Sequence, residues 1–260
     1  MTDQAALNER AALLRELHRP GHPLLLPNVW DAGSARVVAE AGYPAIATAS
    51  AAIAQSLGYE DHHGAPAGEM FAAAGRVIRA VGLPVTVDAE GGYGLPAREL
   101  VGRLAAIGAV GCNLEDTDHG APGGGLRPAG EQAGFLAEVR AAAKDAGVDL
   151  VINARVDVFA AGGRGPEATA AAIERGRRYF EAGADCVYPI LASAEEDVAA
   201  LAAGLPGPVN ILSLPNGPGL PRLAELGVAR VSFGPQPYRW ALASLKRGVE
   251  RIAAMEDPRD

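Results

Sequence analysis

The chain has 260 residues, 23 Lys and Arg against 31 Asp and Glu, and a formal net charge of -8. That acidic balance excludes the clustered basic face of a nucleic-acid binder, and a hydrophobic content of 49% excludes disorder. No apolar run reaches the roughly 18 residues of a membrane span, and Asp3, Glu9 and Glu16 exclude a signal peptide, so a cytoplasmic protein without membrane contact is expected.

Runs rich in Val, Ile and Leu predict strands at Leu24–Trp30, Ala45–Ala51, Pro84–Glu90, Val110–Asp116, Leu150–Asp157, Cys186–Ile190, Pro208–Ser213 and Arg230–Gly234. They do not alternate apolar with polar, as befits parallel strands covered on both faces. Between them lie helical patterns: one opened by Ser34, then Pro66–Val81, Pro96–Gly108, Ala129–Ala146, Pro166–Ala182, Ala194–Ala203, Pro221–Leu226 and Tyr238–Ala254. The phrases EAGYPAI, AIGAVGC, DAGVDLV, EAGADCV and ELGVARV each stop a helix at Gly and lead straight into a strand. Eight such alternations without a composition shift predict an α/β fold, a (β/α)8 TIM-type barrel in one domain over residues 1–260. An open doubly wound sheet is the alternative, but no GxGxxG follows the first strand. Cys112 and Cys186 sit inside strand runs and read as small core residues.

Active sites of such barrels lie at the C-terminal strand ends. Asp88 and Glu90, two apart, are expected to point to one side of the barrel mouth. Glu115 ends the next strand, and Asp61 lies in the loop after the second. Carboxylates converging there repel one another unless a cation sits among them. Hard oxygen donors suit Mg2+ or Mn2+. Zinc is disfavoured because no His or Cys pair has ligand spacing, and the tandem His62 and His63 point in different directions. Asp116 alternates away from Glu115 and is expected to face a helix.

The run DAEGGYG, the LED and NARVD strand ends, and PNVWDAGSARVVAEAGYPAIATASAAIAQSLGYED resemble the isocitrate lyase/phosphoenolpyruvate mutase superfamily from about Leu24 to Gly234. That family carries DxDxGYG, where this chain has Glu90 as its second acid. The resemblance implies that Asp88 binds the metal directly and the substrate through it, with Asp61, Glu90 and Glu115 holding the water shell. It implies that Arg155 binds a substrate carboxylate or oxyanion, and that N–H groups near Ser50 and Ala51 cradle a carboxylate. A salt bridge to Asp157 or Glu115 is the other reading of Arg155. It also implies dimers or tetramers in which the C-terminal helix packs on, or swaps with, a neighbour. Leu242, Leu245, Val249 and Ile252 give that helix an apolar stripe, which could equally cover its own barrel.

The loop after the fourth strand departs from the family. It reads EDTDHGAPGGGLRPAGEQ and lacks both the Cys of the isocitrate-type lyases and the Lys and Asn of the phosphonomutases. His119 is its one group able to move a proton near neutral pH. It reads as a solvated turn residue beside Gly120, or as a general acid. Gly123, Gly124 and Gly125 suit either a lid or a plain surface loop. Asn210 reads as a substrate contact or as a satisfied core amide. The expected function is Mg2+-dependent lyase chemistry on a small 2-oxo acid or its adduct, through an enolate-like species. Hydrolysis of a C–C or P–C bond, and binding of a 2-oxo acid without turnover, are the alternatives.

Overall fold

All eight expected strands form, each shorter than its apolar run, in a computed structural model that describes residues 4–121 and 125–258. Pro27, with no N–H to give a ladder, cuts the first run into β1 (Leu24–Leu26) and β2 (Asn28–Val29). Then follow β3 (Ile46–Thr48), β4 (Val85–Asp88), β5 (Gly111–Glu115), β6 (Val151–Val156), β7 (Cys186–Pro189), β8 (Asn210–Leu212) and β9 (Arg230–Ser232). All pairing of these strands is parallel; β2 to β7 lie in chain order, and β9 lies between β1 and β8. The two sheets meet where β1 runs into β2 and where Val187 on β7 bridges Val209 beside β8. The strands thus form a ring of eight, the α/β barrel expected.

The helices are α1 (Gln4–Glu16), α2 (Ala32–Glu40), α3 (Ser50–Leu57), α4 (Ala67–Ala80), α5 (Ala97–Ile107), α6 (Ala129–Asp145), α7 (Gly165–Glu181), α8 (Glu195–Gly204), α9 (Leu220–Glu225) and α10 (Gln236–Ala253). Two local expectations change. Asp31, not Ser34, caps α2; Ser34 is the third helical residue, its N–H donates to the Asp31 side chain and its hydroxyl oxygen accepts from the Asp31 N–H, making a capping box. The run Ala45–Ala51 is not all strand: Ser50 already opens α3, because SAAIAQSL is rich in the best helix former and ends at the left-handed Gly58.

Helix α1 closes the N-terminal end of the barrel. Its Leu7, Ala11 and Leu14 pack on Leu24, Leu26, Ala45, Ala47, Val110 and Val151. Above this floor the barrel interior is polar: Arg230 is fully buried, donates to Asn113 Oδ1 at 3.3 Å, and leaves Nε and Nη1 without a hydrogen-bond partner among the described residues. Cys112 and Cys186 are free and buried, and burial pushes both thiols up to about 12, as core thiols should be.

At the other end of the chain, α10 buries none of its residues and exposes Trp240, Leu242, Leu245, Val249 and Ile252. Its own barrel does not cover that stripe. Among the described residues no helix is long and apolar enough to cross a membrane.

Candidate metal and substrate site

Strand register builds the site. Glu115 on β5 lies beside Arg155 on β6, and Arg155 Nη1 pairs with Glu115 Oε2. Arg155 also donates from Nε and Nη2 to Asp157 at 2.6 and 3.0 Å. Burial by itself lowers the pKa of Arg155, but Glu115, Asp157 and Asp88 outweigh it and hold the guanidinium above its ordinary range. Both ion pairs considered for Arg155 therefore exist, and the side chain still borders the cavity described below. An arginine has five N–H donors, so these contacts leave some for a ligand. Asp116 turns the other way, as expected. It accepts from Tyr179 Oη at 2.6 Å, from Arg175 Nη1 at 3.0 Å and from the Asp157 N–H at 2.8 Å, tying α7 to the barrel wall.

Asp88 ends β4. Its Oδ2 accepts from the Ser50 N–H at 3.1 Å and the Ser50 hydroxyl at 2.8 Å, while its own N–H donates to Thr48 Oγ1 at 2.9 Å. Ser50 thus holds Asp88 through its N–H and hydroxyl, and it lines the same cavity as its neighbour Ala51. Ala51, next in the first turn of α3, remains at the cavity with the unpaired N–H typical of a helix start. The other oxygen of Asp88, Oδ1, is buried and has no hydrogen-bond partner among the described residues. A carboxylate oxygen in that state is costly unless a cation meets it.

Glu90 is not a strand residue, as the two-residue spacing had implied. It lies past β4 with φ +49, and its Oε2 accepts from the His63 N–H at 2.5 Å. It nevertheless joins the cluster. Burial first, with Asp88, Asp61 and Glu115 behind it and the His63 N–H pulling the other way, raises its carboxyl to about 7. Glu115 is buried too, which raises its pKa against the pull of Arg155 and His119. Asp61 sits in the loop between α3 and α4, lines the cavity, and lies 4.0 Å from His62.

His119 is no solvated turn residue. Its side chain is 8% exposed and its Nε2 lies 2.5 Å from Glu115 Oε1, which raises its pKa. It does not border the cavity. Its ring faces His63 instead, with centroids 4.1 Å apart, and His62 at 5.7 Å. Burial, helped by His119 and Arg127, lowers His63 to about 4. Of the glycines assigned to a lid, Gly123 and Gly124 lie outside the described residues. Asn210 is a core amide: it starts β8, is fully buried, and exchanges hydrogen bonds with the Ser232 hydroxyl at 3.0 Å. It does not border the cavity described next.

The cavity measures about 660 Å³, within the usual range for small ligands. Asp61, Asp88, Arg155 and Ala51 border it on the polar side, and Ile190, Leu191, Leu212, Leu214 and Phe233 supply apolar wall. Arg239 also borders it, is exposed, and forms no ion pair among the described residues. The sequence pattern had not singled it out, because it sits in the first turn of α10, past the last strand.

The sequence matches the family model of phosphoenolpyruvate phosphomutase over residues 14–253. The chain belongs to that family. It therefore falls in the isocitrate lyase/phosphoenolpyruvate mutase superfamily that its motifs resemble. An uncharacterized protein of Mycobacterium tuberculosis (strain ATCC 25618 / H37Rv) is 35% identical over 238 residues, 92% of this chain and 88% of that one. The 2-methylisocitrate lyase of Bacillus subtilis (strain 168) is 31% identical over 213 residues, 79% of this chain and 68% of its own. Among solved structures, a Burkholderia cenocepacia J2315 protein, provisionally named a phosphonomutase, is 43% identical with a TM-score of 0.87, covering 94% of this chain and 99% of that one. Family relatives thus include lyases and mutases.

Proposed function

We propose that the chain is a divalent-metal-dependent carbon–carbon lyase acting on a small 2-oxo mono- or dicarboxylic acid or its adduct, by C–C cleavage or decarboxylation. One observation carries the reading: a buried Asp88 oxygen without a hydrogen bond, at a cavity that Arg155 and the start of α3 also border. That oxygen fits a hard dication, Mg2+ or Mn2+, with Glu90, Glu115 and Asp61 completing the acidic surround. Such an ion, when bound, withdraws charge from a 2-oxo group and eases development of negative charge beside it.

The chain's own residues supply the rest. Ser50 and Thr48 fix Asp88 from both sides. The first-turn N–H of Ala51 binds a substrate carboxylate at the positive end of α3. Asp157 and Glu115 hold the Arg155 guanidinium in place, so it meets an oxyanion without reorganising. Arg239 is placed for a second carboxylate, and the wall of Ile190, Leu191, Leu212 and Leu214 keeps water from the carbon skeleton and favours an alkyl-bearing acid. His119 acts on Glu115, orienting it through Nε2, and is not the substrate's proton donor.

The two buried thiols suit a reducing compartment such as the cytoplasm. The uncovered stripe of α10 suits a homo-oligomer in which a second copy covers it. The reading is tested with Asp88→Ala, which should abolish metal-dependent turnover while circular dichroism shows an intact fold. Turnover that persists after chelation contradicts the assignment. Incorporation of solvent oxygen into a new acid would indicate hydrolysis instead of lyase chemistry.

A further inference from the structure

Three histidines from two loops meet beside the acidic cluster. His62 and His63 come from the α3–α4 loop, and His119 from the segment after β5. One ligand atom each from His63, Glu90 and His119 lies within 4.8 Å of the others; a second triad, His62, Glu115 and His119, meets the same limit. Gly91 sits in the gap: a Cβ there would stand 3.3 Å from Arg127 Nη2 and 3.5 Å from both His63 Nε2 and His119 Cδ2, so an ion there would share the gap with that guanidinium. The Gly91 N–H donates to His63 Nε2 at 3.3 Å, a long hydrogen bond that an ion at that nitrogen would replace. Backbone strain marks the same place. Four of the six non-glycine residues with positive φ among the described residues are His62, His63, Glu90 and Tyr93. Each such conformation costs on the order of 1–3 kcal/mol and persists only where surrounding contacts impose it.

We propose that His63, Glu90 and His119 form a site for a transition-metal dication, such as Zn2+, Co2+ or Fe2+, distinct in donor chemistry from the oxygen donors around Asp88. Imidazole nitrogen suits these ions, whereas Mg2+ prefers oxygen and keeps its water. Two imidazoles and one carboxylate on one side of an ion leave its remaining positions open. Glu115 Oε1, against His119 Nε2, is placed to fix that ring, and Tyr93 packs on the His63 ring at a centroid distance of 5.2 Å. The inference shares Glu90 with the lyase reading but rests on these donors alone.

The test is a titration of metal-free full-length protein with Co2+, followed by its visible ligand-field absorption, with Zn2+ as competitor and Mg2+ as control. Nitrogen-ligated Co2+ bands are expected, displaced by Zn2+ and not by Mg2+. His63→Ala and His119→Ala should each weaken Co2+ binding at least about 100-fold, the upper end for losing even a supporting residue of a metal site. Asp88→Ala should keep the bands. Where an alanine variant does not fold, His63→Gln or His119→Gln takes its place. Absent bands, or bands that survive both histidine substitutions, overturn the inference. Bands lost only in Asp88→Ala also overturn it, while leaving the proposed lyase site standing. Histidine-dependent bands in a protein without metal-dependent turnover would support the site and contradict the lyase reading alone.

Discussion

Protonating His18 should loosen the barrel floor. His18 follows α1, is 7% exposed, and donates from Nδ1 to Leu14 O at 2.7 Å, while its Nε2 has no partner among the described residues. Burial first, and the buried cation Arg230 second, lower its pKa from 6.5 to about 4. A second positive charge beside Arg230 is what the fold resists. Above pH 6.5 the imidazole is neutral in both the folded and the unfolded chain, and its stabilising effect is fully present. Between 6.5 and about 4 only the unfolded chain binds the proton, so stability falls with pH. Each pH unit in that window costs about 1.4 kcal/mol, and the whole window about 3 kcal/mol. Glu90, raised to about 7, works in the opposite sense, because the folded state holds its proton while the unfolded state has lost it. A comparison with His18→Asn cancels that effect, and the asparagine amide keeps a donor to Leu14 O. Urea unfolding at pH 7.5 and pH 5 should show the wild type losing about 2 kcal/mol more than His18→Asn. Parallel losses in the two proteins would refute the argument.

Three other outcomes follow from the structure. Asp116→Ala leaves Arg175 and Tyr179 without their buried anion and should cost about 3–5 kcal/mol in chemical denaturation; a loss below about 1 kcal/mol would contradict the network's role. Mg2+ at about 100 times its Kd should stabilise the wild type by about 2.7 kcal/mol and leave Asp88→Ala unchanged in thermal unfolding; equal stabilisation of both would move the ion elsewhere. If a second copy covers α10 as proposed, Leu245→Glu with Val249→Glu, at two exposed positions of that helix, should reduce the particle mass in sedimentation; an unchanged mass would contradict that role for α10.

The fold was legible because each Gly-stopped helix runs directly into an apolar strand, a pattern that survives any detail of packing. The carboxylates were legible for the same reason. Asp88 and Glu115 end β4 and β5, and strand ends of a barrel converge wherever the loops go. Glu90 comes near Asp88, Asp61 and Glu115 by another geometry than expected: it is a left-handed residue past the strand, not an alternating strand residue. The end of β3 was misread because a strand pattern rich in alanine passes into a helix without punctuation, and Ser50, the first residue of α3, gives its N–H to Asp88. Helix α1 was missed because alanine and charged residues in AALNERAALLRE blur its apolar face, although Leu7 and Leu14 plug the barrel. The histidine cluster was hidden by sequence distance. His63 and His119 meet from two loops far apart in sequence, one of them turned by the left-handed His62 and His63, and it is His63 and His119 whose rings pack with centroids 4.1 Å apart.

The central claim is that this cavity performs metal-dependent chemistry on a 2-oxo acid. The most direct measurement is a screen of 2-oxo acids and their adducts with Mg2+ or Mn2+, following binding and product together in wild type and Asp88→Ala. Metal-dependent release of pyruvate, carbon dioxide or another cleavage product by the wild type, absent in the variant, is the predicted result. Binding without product across the screen, or turnover indifferent to metal and to Asp88, would contradict it.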